Sequence, residues 1–268
     1  MAVDKDLKIV VDTIIDSTKT IINGSPINNI FDVNEEETKY IFVNQTNGND
    51  DNDGSNYDTP VASLKKAYEM IPKFYNNTYK ISFLSSDYYV TEEDINALKE
   101  NKFSNKDNNP IYIMSGNLDF VKIDTYDNVF SLNNILFSHI TFQKKDLEGY
   151  YQRGTNIVFS NSNVKFNNCE FRYPIEIKNS DIDFTLECKF YTCKNNFNLL
   201  TITNSNVDFI GASSFNNEEG HTNCGAINAT DSIVNLLYDL SFISMAEDVD
   251  FNYTINKTNC IVNKYSAE

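Results

Sequence analysis

With 268 residues, 41% of them hydrophobic and 22% charged, the chain can bury a sizeable core and is too apolar to remain disordered. Its net charge of −16, with Arg153 and Arg172 as the only arginines, leaves no basic stripe to neutralise phosphates, which argues against nucleic acid and anionic membranes as partners. Forty asparagines against 9 Gly and 5 Pro fit a fold rich in left-handed turns, or the codon bias of an AT-rich genome.

The chain opens Met1-Ala2-Val3-Asp4-Lys5-Asp6, with acids where a signal peptide carries cations, and no apolar run reaches membrane-spanning length. The expectation is a protein made and assembled in a cytoplasm. Leu7, Val11, Ile14, Thr18 and Ile21 then keep the alternating four-three spacing of a coiled-coil seam. Leu7, Ile14 and Ile21 fall at d, where β-branched residues favour three or four helices over two. Residues 1–30 are therefore predicted to be a helical oligomerisation or attachment arm, most simply of a homotrimer. The alternative is a lone helix packed on its own domain, because the seam is shorter than three heptads. Asn23-Gly24-Ser25-Pro26 reads as the helix stop.

Residues 31–75 are predicted as a linker, an entry strand over 40–43 and a capping helix. Thr59 would be the N-cap and Pro60 the first helical residue, with Val61, Leu64, Ala67, Tyr68 and Ile71 on the buried face as far as Pro72. The loop between holds Asn49, Asp51, Asp53 and Gly54, the alternate oxygens and bend glycine of the first half of a Ca²⁺ loop. Its twelfth position is Pro60 rather than Glu, so the bidentate ligand is missing. A polar turn without a cofactor is the expected use, and bound Ca²⁺ is the alternative.

Residues 76–268 are predicted to be a β-solenoid. From residue 129 a unit recurs: an alternating apolar strand, a polar pair, a second alternating strand and a Phe-ended strand. The anchors Phe142, Phe171, Phe190, Phe215 and Phe242 are 29, 19, 25 and 27 residues apart, yet the polar pair precedes the last four by 10 or 11. Constant strands with variable connections suit a solenoid, whose coils touch only their neighbours. The Phe anchors should stack inside, as should Ile140, Cys169, Cys188, Ser213 and Leu240 two places before them. The repeated Asn-Ser should form a left-handed corner with a stacked amide row. All five cysteines (Cys169, Cys188, Cys193, Cys224 and Cys260) read as buried free thiols in no metal pattern.

The stretch Gly48 to Gly54, with Thr59-Pro60 and Ser63-Leu64-Lys65-Lys66-Ala67, resembles the entry segment of pectate-lyase-like right-handed parallel β-helix proteins. That resemblance implies an all-β, right-handed parallel β-helix with an N-terminal capping helix, here preceded by the short coiled-coil-like helix. Phe215-Asn216-Asn217 followed by Cys224-Gly225-Ala226-Ile227 is also similar to the repeats of β-helical surface proteins. With an oligomerising arm and no export signal, the chain resembles bacteriophage tail-fibre, tailspike and related appendage proteins. The resemblance implies a structural virion protein of a tail fibre, tailspike, baseplate or head fibre. It would bind host surface glycans and join other virion proteins through its arm.

Two other classes compete. A polysaccharide lyase or glycoside hydrolase would need convergent acids, and Glu176, Asp181, Asp183 and Asp208 are the candidates. Asp183 and Asp208 each follow a corner Asn by four residues, so they should sit about one coil apart, roughly 5 Å, as a retaining pair requires. Lys165 at the same place in the preceding coil favours an ordinary polar outer face. Of the two histidines, His139 and His221, His221 beside Glu218, Glu219 and Gly220 is the better site candidate, though no nucleophile or second base is tied to it. A bacterial surface adhesin, the third class, should carry an export signal or anchor.

Overall fold

The computed structural model describes residues 21–22, 25–26, 37–104, 109–116, 121–125, 129–143, 156–191, 198–217, 224–238, 240–244 and 251–264. Among them, three parallel sheets run side by side along a stack of coils, the arrangement of a parallel β-helix. A long sheet of nine strands begins with Thr38–Val43, Thr78–Phe83 and Ile111–Ser115 and ends with Ile261–Lys264. Beside it lie a middle sheet of seven strands and a short sheet of six. From Val129 onward the chain visits short, long and middle sheet in turn, so each strand pairs in register with its counterpart one coil away.

Alternation decides the inside. In Asn163–Asn167, Val164 and Phe166 are buried and Asn163 and Lys165 exposed, the half-buried pattern of a strand with one wet face. Phe142, Phe171, Phe190 and Phe215 stack on the middle sheet, with centroids 5.3, 5.0 and 4.6 Å apart and planes within 14° of parallel. The backbone register carries the row on to Phe242. A second row on the long sheet, Phe137, Phe166, Phe184 and Phe209, stacks likewise. The rows meet edge to face, as in Phe166–Phe171 at 5.1 Å and 82°, so the core is a herringbone of rings held by area burial and quadrupole geometry together. Cys169 aligns with Cys188 and Cys188 with Ser213, as the spacing predicts.

The corner between short and long sheets repeats without insertion. Asn161, Asn179, Asn204, Asp231 and Asn259 all have φ between 48° and 54°, a left-handed conformation that Asn and Asp tolerate best after Gly. Asn204 Nδ2 donates to Asn179 Oδ1 at 2.8 Å, and Asn259 Nδ2 to Asp231 Oδ1 at 2.7 Å. The serines that follow form a buried ladder: the backbone N–H groups of Ser162, Ser180 and Ser205 donate to the hydroxyls of Ser180, Ser205 and Ser232. In the first copy the Asn133-Asn134 pair is not this corner. Asn133 aligns with Asn163 across a register shift, and Leu132 takes the serine place, donating to Ser162 Oγ.

The second corner, from long to middle sheet, is also short, with left-handed His139, Asn168 and Leu186. Gly211 in the next coil lies against Leu186, where a Cβ would stand 2.0 Å from the Leu186 carbonyl oxygen. The third connection, from middle to short sheet, varies: it spans 144–156, 172–174, 192–197, 218–223 and 245–250.

Among the described residues two helices stand at the N-terminal end of the stack, α1 (Leu64–Glu69) and α2 (Glu92–Leu98). α1 packs against Thr38–Val43 and Thr78–Phe83, so the capping helix is present, but it begins four residues later than Thr59-Pro60 implies. Val61 is committed to the sheet: its N–H donates to Phe42 O and its carbonyl accepts from Asn44 N. The N-cap is Ser63, held with Ala62 by Asp50, which accepts from both backbone N–H groups and from Ser63 Oγ. No helix among the described residues is long and apolar enough to cross a membrane. The predicted arm, with Leu7, Val11, Ile14 and Thr18, lies outside the described residues. Ile21–Ile22 pairs antiparallel with Ser25–Pro26, so Ile21 is extended rather than helical. The intervening Asn23-Gly24, expected to stop a helix, lies outside the described residues.

Candidate functional site

The outer face of the long sheet carries side chains in register over its full length. One row runs Tyr40, Lys80, Tyr112, Leu136 and Lys165 and continues as Asp183, Asp208, Asn235 and Asn263. Lys80 Nζ lies 5.5 Å from the ring centres of both Tyr40 and Tyr112, a cation held between two aromatic faces. Asp183 and Asp208 are directly aligned neighbours, as their spacing predicts. Each carboxylate is engaged along the row: Lys165 Nζ is 2.9 Å from Asp183 Oδ2, and Asn235 Nδ2 donates to Asp208 Oδ1 at 2.6 Å. The row is a charge-balanced ladder rather than an acid beside a bare nucleophile.

A second outer row, nearer the asparagine corner, aligns Asn133, Asn163, Asp181 and Asn206, with Asn206 donating to Asp181 Oδ1 at 3.0 Å. Glu176 stands apart on the short sheet, ion-paired to Lys178 at 2.9 Å. The structure therefore brings Asp181, Asp183 and Asp208 onto one face and leaves Glu176 off it. His139 is a corner residue whose Nδ1 lies 2.9 Å from Ser138 Oγ. His221, with Glu218, Glu219 and Gly220, lies outside the described residues.

Segment 99–104, just after α2, rises beside these rows and walls two open compartments of about 820 and 940 Å³. Both are floored by Asn133, Asn163 and Asp181. Lys99 and Asn101 face the first, and Lys102, Phe103 and Ser104 the second. The wall is anchored: Phe103–Ser104 pairs with Phe74–Tyr75, the Phe74 and Phe103 rings stack at 5.5 Å, and Lys102 is buried over the Tyr68 ring with Nζ 3.4 Å from Glu100. Sequence reading missed this wall because it depends on α2, whose signal, Thr91-Glu92-Glu93-Asp94 before an apolar run, was legible as a capping box. Asp94 is fully buried and accepts from Lys65 N, Tyr88 Oη, Thr91 N and Thr91 Oγ1, which locks α2 onto α1. Burial and the adjacent Asp94 charge push the Tyr88 phenol far above its ordinary range.

In the loop before α1, Asn49 Oδ1 accepts from Asp51 N, and Asp53 Oδ1 from Ser55 N and Thr59 Oγ1. These bonds hold the Asp53 carboxyl below its ordinary pKa, the Ser55 N–H contributing most. Asn49 and Asp53 thus serve local turns. No cluster of three or more His, Cys, Asp or Glu suited to a metal occurs among the described residues. Cys169 and Cys188 are buried free thiols as expected, pushed up by desolvation, Cys188 to about 12. Cys260 is only half-buried: it stands in the serine place of the last corner, with Sγ 3.1 Å from Thr258 O. Cys193 lies outside the described residues, as does the Cys224 side chain.

No protein family, no curated protein and no solved structure matches the chain.

Proposed function

We propose that this chain is a structural appendage protein of a bacteriophage particle, a right-handed β-helix of the pectate-lyase-like kind that contacts host surface glycans. The observation that carries the reading is the long sheet's outer face with the asparagine corner beside it, where amides and carboxylates form self-bonded rows along a rigid core. Such a face presents many weak, repeated contacts to an extended partner and needs no catalytic step. The seam spacing from Leu7 to Thr18 and the entry segment's resemblance point the same way. Purified particles labelled with antibody against this chain test the assignment: label at a fibre, spike, baseplate or head is expected, and particles free of the chain overturn it.

A glycan lyase or hydrolase is the second reading, favoured by the alignment of Asp183 with Asp208. Reducing-end release from polysaccharide by pure protein, abolished in Asp183→Asn or Asp208→Asn, would establish it in place of the first. The expected result is no release.

A further inference from the structure

We infer that the trough between segment 99–104 and the asparagine corner binds a linear, uncharged glycan. The inference rests on the glycan-contacting reading above and goes beyond it by naming the site and the ligand class.

Shape is the first argument. The two compartments meet at Asn133, Asn163 and Asp181 and extend along the stack as far as Asp231, so together they accept an extended chain rather than a compact small molecule. Hydrogen-bonding capacity is the second. Along the corner and the row beside it, Asn204 spends one N–H on Asn179, and Asn206 spends one on Asp181. An amide has two N–H donors and two acceptor lone pairs, so each rung keeps a donor and an acceptor for a ligand, repeated at the strand spacing of about 4.8 Å. Hydroxyls along a sugar chain both donate and accept, and can meet such rungs one after another.

Charge selects the class. Two of the three lysines of the trough are compensated, Lys165 lying 2.9 Å from Asp183 and Lys102 3.4 Å from Glu100, while Lys99 donates to the neutral Asn96 Oδ1. Among the described residues, Asp181 and Asp231 accept only from the neutral amides of Asn206 and Asn259 and so keep their negative charge. A polyanionic glycan would meet the carboxylates of Asp181, Asp183 and Asp231 against one unpaired lysine among the described residues, in the field of a chain carrying −16, so an uncharged one is preferred. Phe103 supplies the apolar component: its ring stacks on Phe74, yet the residue remains 43% exposed where it lines the trough. Sugar C–H faces pack on such a ring.

Isothermal titration of the full chain with three hexasaccharide probes tests the assignment: β-1,4-linked glucose, β-1,4-linked N-acetylglucosamine, and α-1,4-linked galacturonate. At least one neutral probe should bind and the galacturonate should not. Phe103→Ala and Asn163→Ala should each weaken binding about tenfold, whereas Tyr238→Ala, an exposed aromatic outside the trough, should change it less than about twofold. Failure of both neutral probes at about 10 mM overturns the inference, as does equal binding of the galacturonate. Neutral binding that survives both trough substitutions also overturns it, but leaves the glycan-contacting reading standing with its site elsewhere.

Discussion

Phe190 and Phe215 lie face to face one coil apart, their ring centres 4.6 Å from each other and their planes 5° from parallel. Phe190 also stacks on Phe171 at 5.0 Å and meets Phe184 edge-on at 5.2 Å. Phe190→Ala therefore opens a cavity in the middle of the herringbone and should cost about 3–5 kcal/mol. Urea unfolding followed by circular dichroism measures it, and a loss below about 1 kcal/mol would mean that neighbouring rings collapse into the space.

At the asparagine corner, Asn204 has φ 48° and bonds Asn179. Asn204→Ala loses the amide rung and places a Cβ-bearing residue of low left-handed tolerance there, for about 1–2 kcal/mol. Asn204→Gly loses the same rung but relieves the backbone, so it should be the milder of the two. The order of their urea midpoints checks this, and Ala above Gly would contradict it.

Ser213 continues the interior row of Cys169 and Cys188, yet its Oγ is buried with no hydrogen-bond partner among the described residues. Cys188, by contrast, places its thiol 3.5 Å from the Phe166 carbonyl. Ser213→Ala removes an unsatisfied hydroxyl and should stabilise by up to about 1 kcal/mol. A lowered thermal midpoint would show that the hydroxyl has a role.

Alkali should weaken the fold. Burial lifts the Cys188 thiol from 9.0 to about 12 and the Tyr75 phenol from 10.0 to about 12. Above about pH 9 the unfolded chain loses protons that the folded chain keeps, so this stability is complete below pH 9 and falls as pH rises toward 12. Urea midpoints at pH 8, 9, 10 and 11 should decline progressively, and a flat series would contradict the burial of these groups.

The N-terminal seam makes a prediction about assembly. Light scattering on the full chain should report a trimer, and Ile14→Asp should shift it toward monomer by placing a charge at a d position. Monomers in both would assign the arm to another partner or to its own domain.

How much of this was legible follows from which residues carry the repeat. Phe anchors gave the interior row from Phe142 and the polar pairs gave the corner from Asn161 onward, because large rings and left-handed turns leave few alternative placements. The earlier coils were hidden: in the same interior row the chain has Tyr88 and Ile123, which share no residue type with the later anchors. The start of α1 was misplaced because Thr59-Pro60 satisfies local capping rules while the ladder claims Val61, a tertiary override of a local signal. For the candidate site, the alignment of Asp183 and Asp208 followed from counting, but their compensation by Lys165 and Asn235 needed the neighbouring coils. The trough could not be read at all, since its wall and floor are joined only by the fold.

The difference between the constant corners and the one variable connection separates length from content. Strand spacing alone sets the rise, so the nine strands of the long sheet span eight intervals of about 4.8 Å, about 38 Å in all. Residues added between middle and short sheets, as in 144–156 against 172–174, leave that distance unchanged. The molecule behaves as a graduated rod, able to lengthen or shorten that connection while holding the two ends of the long sheet at a fixed separation.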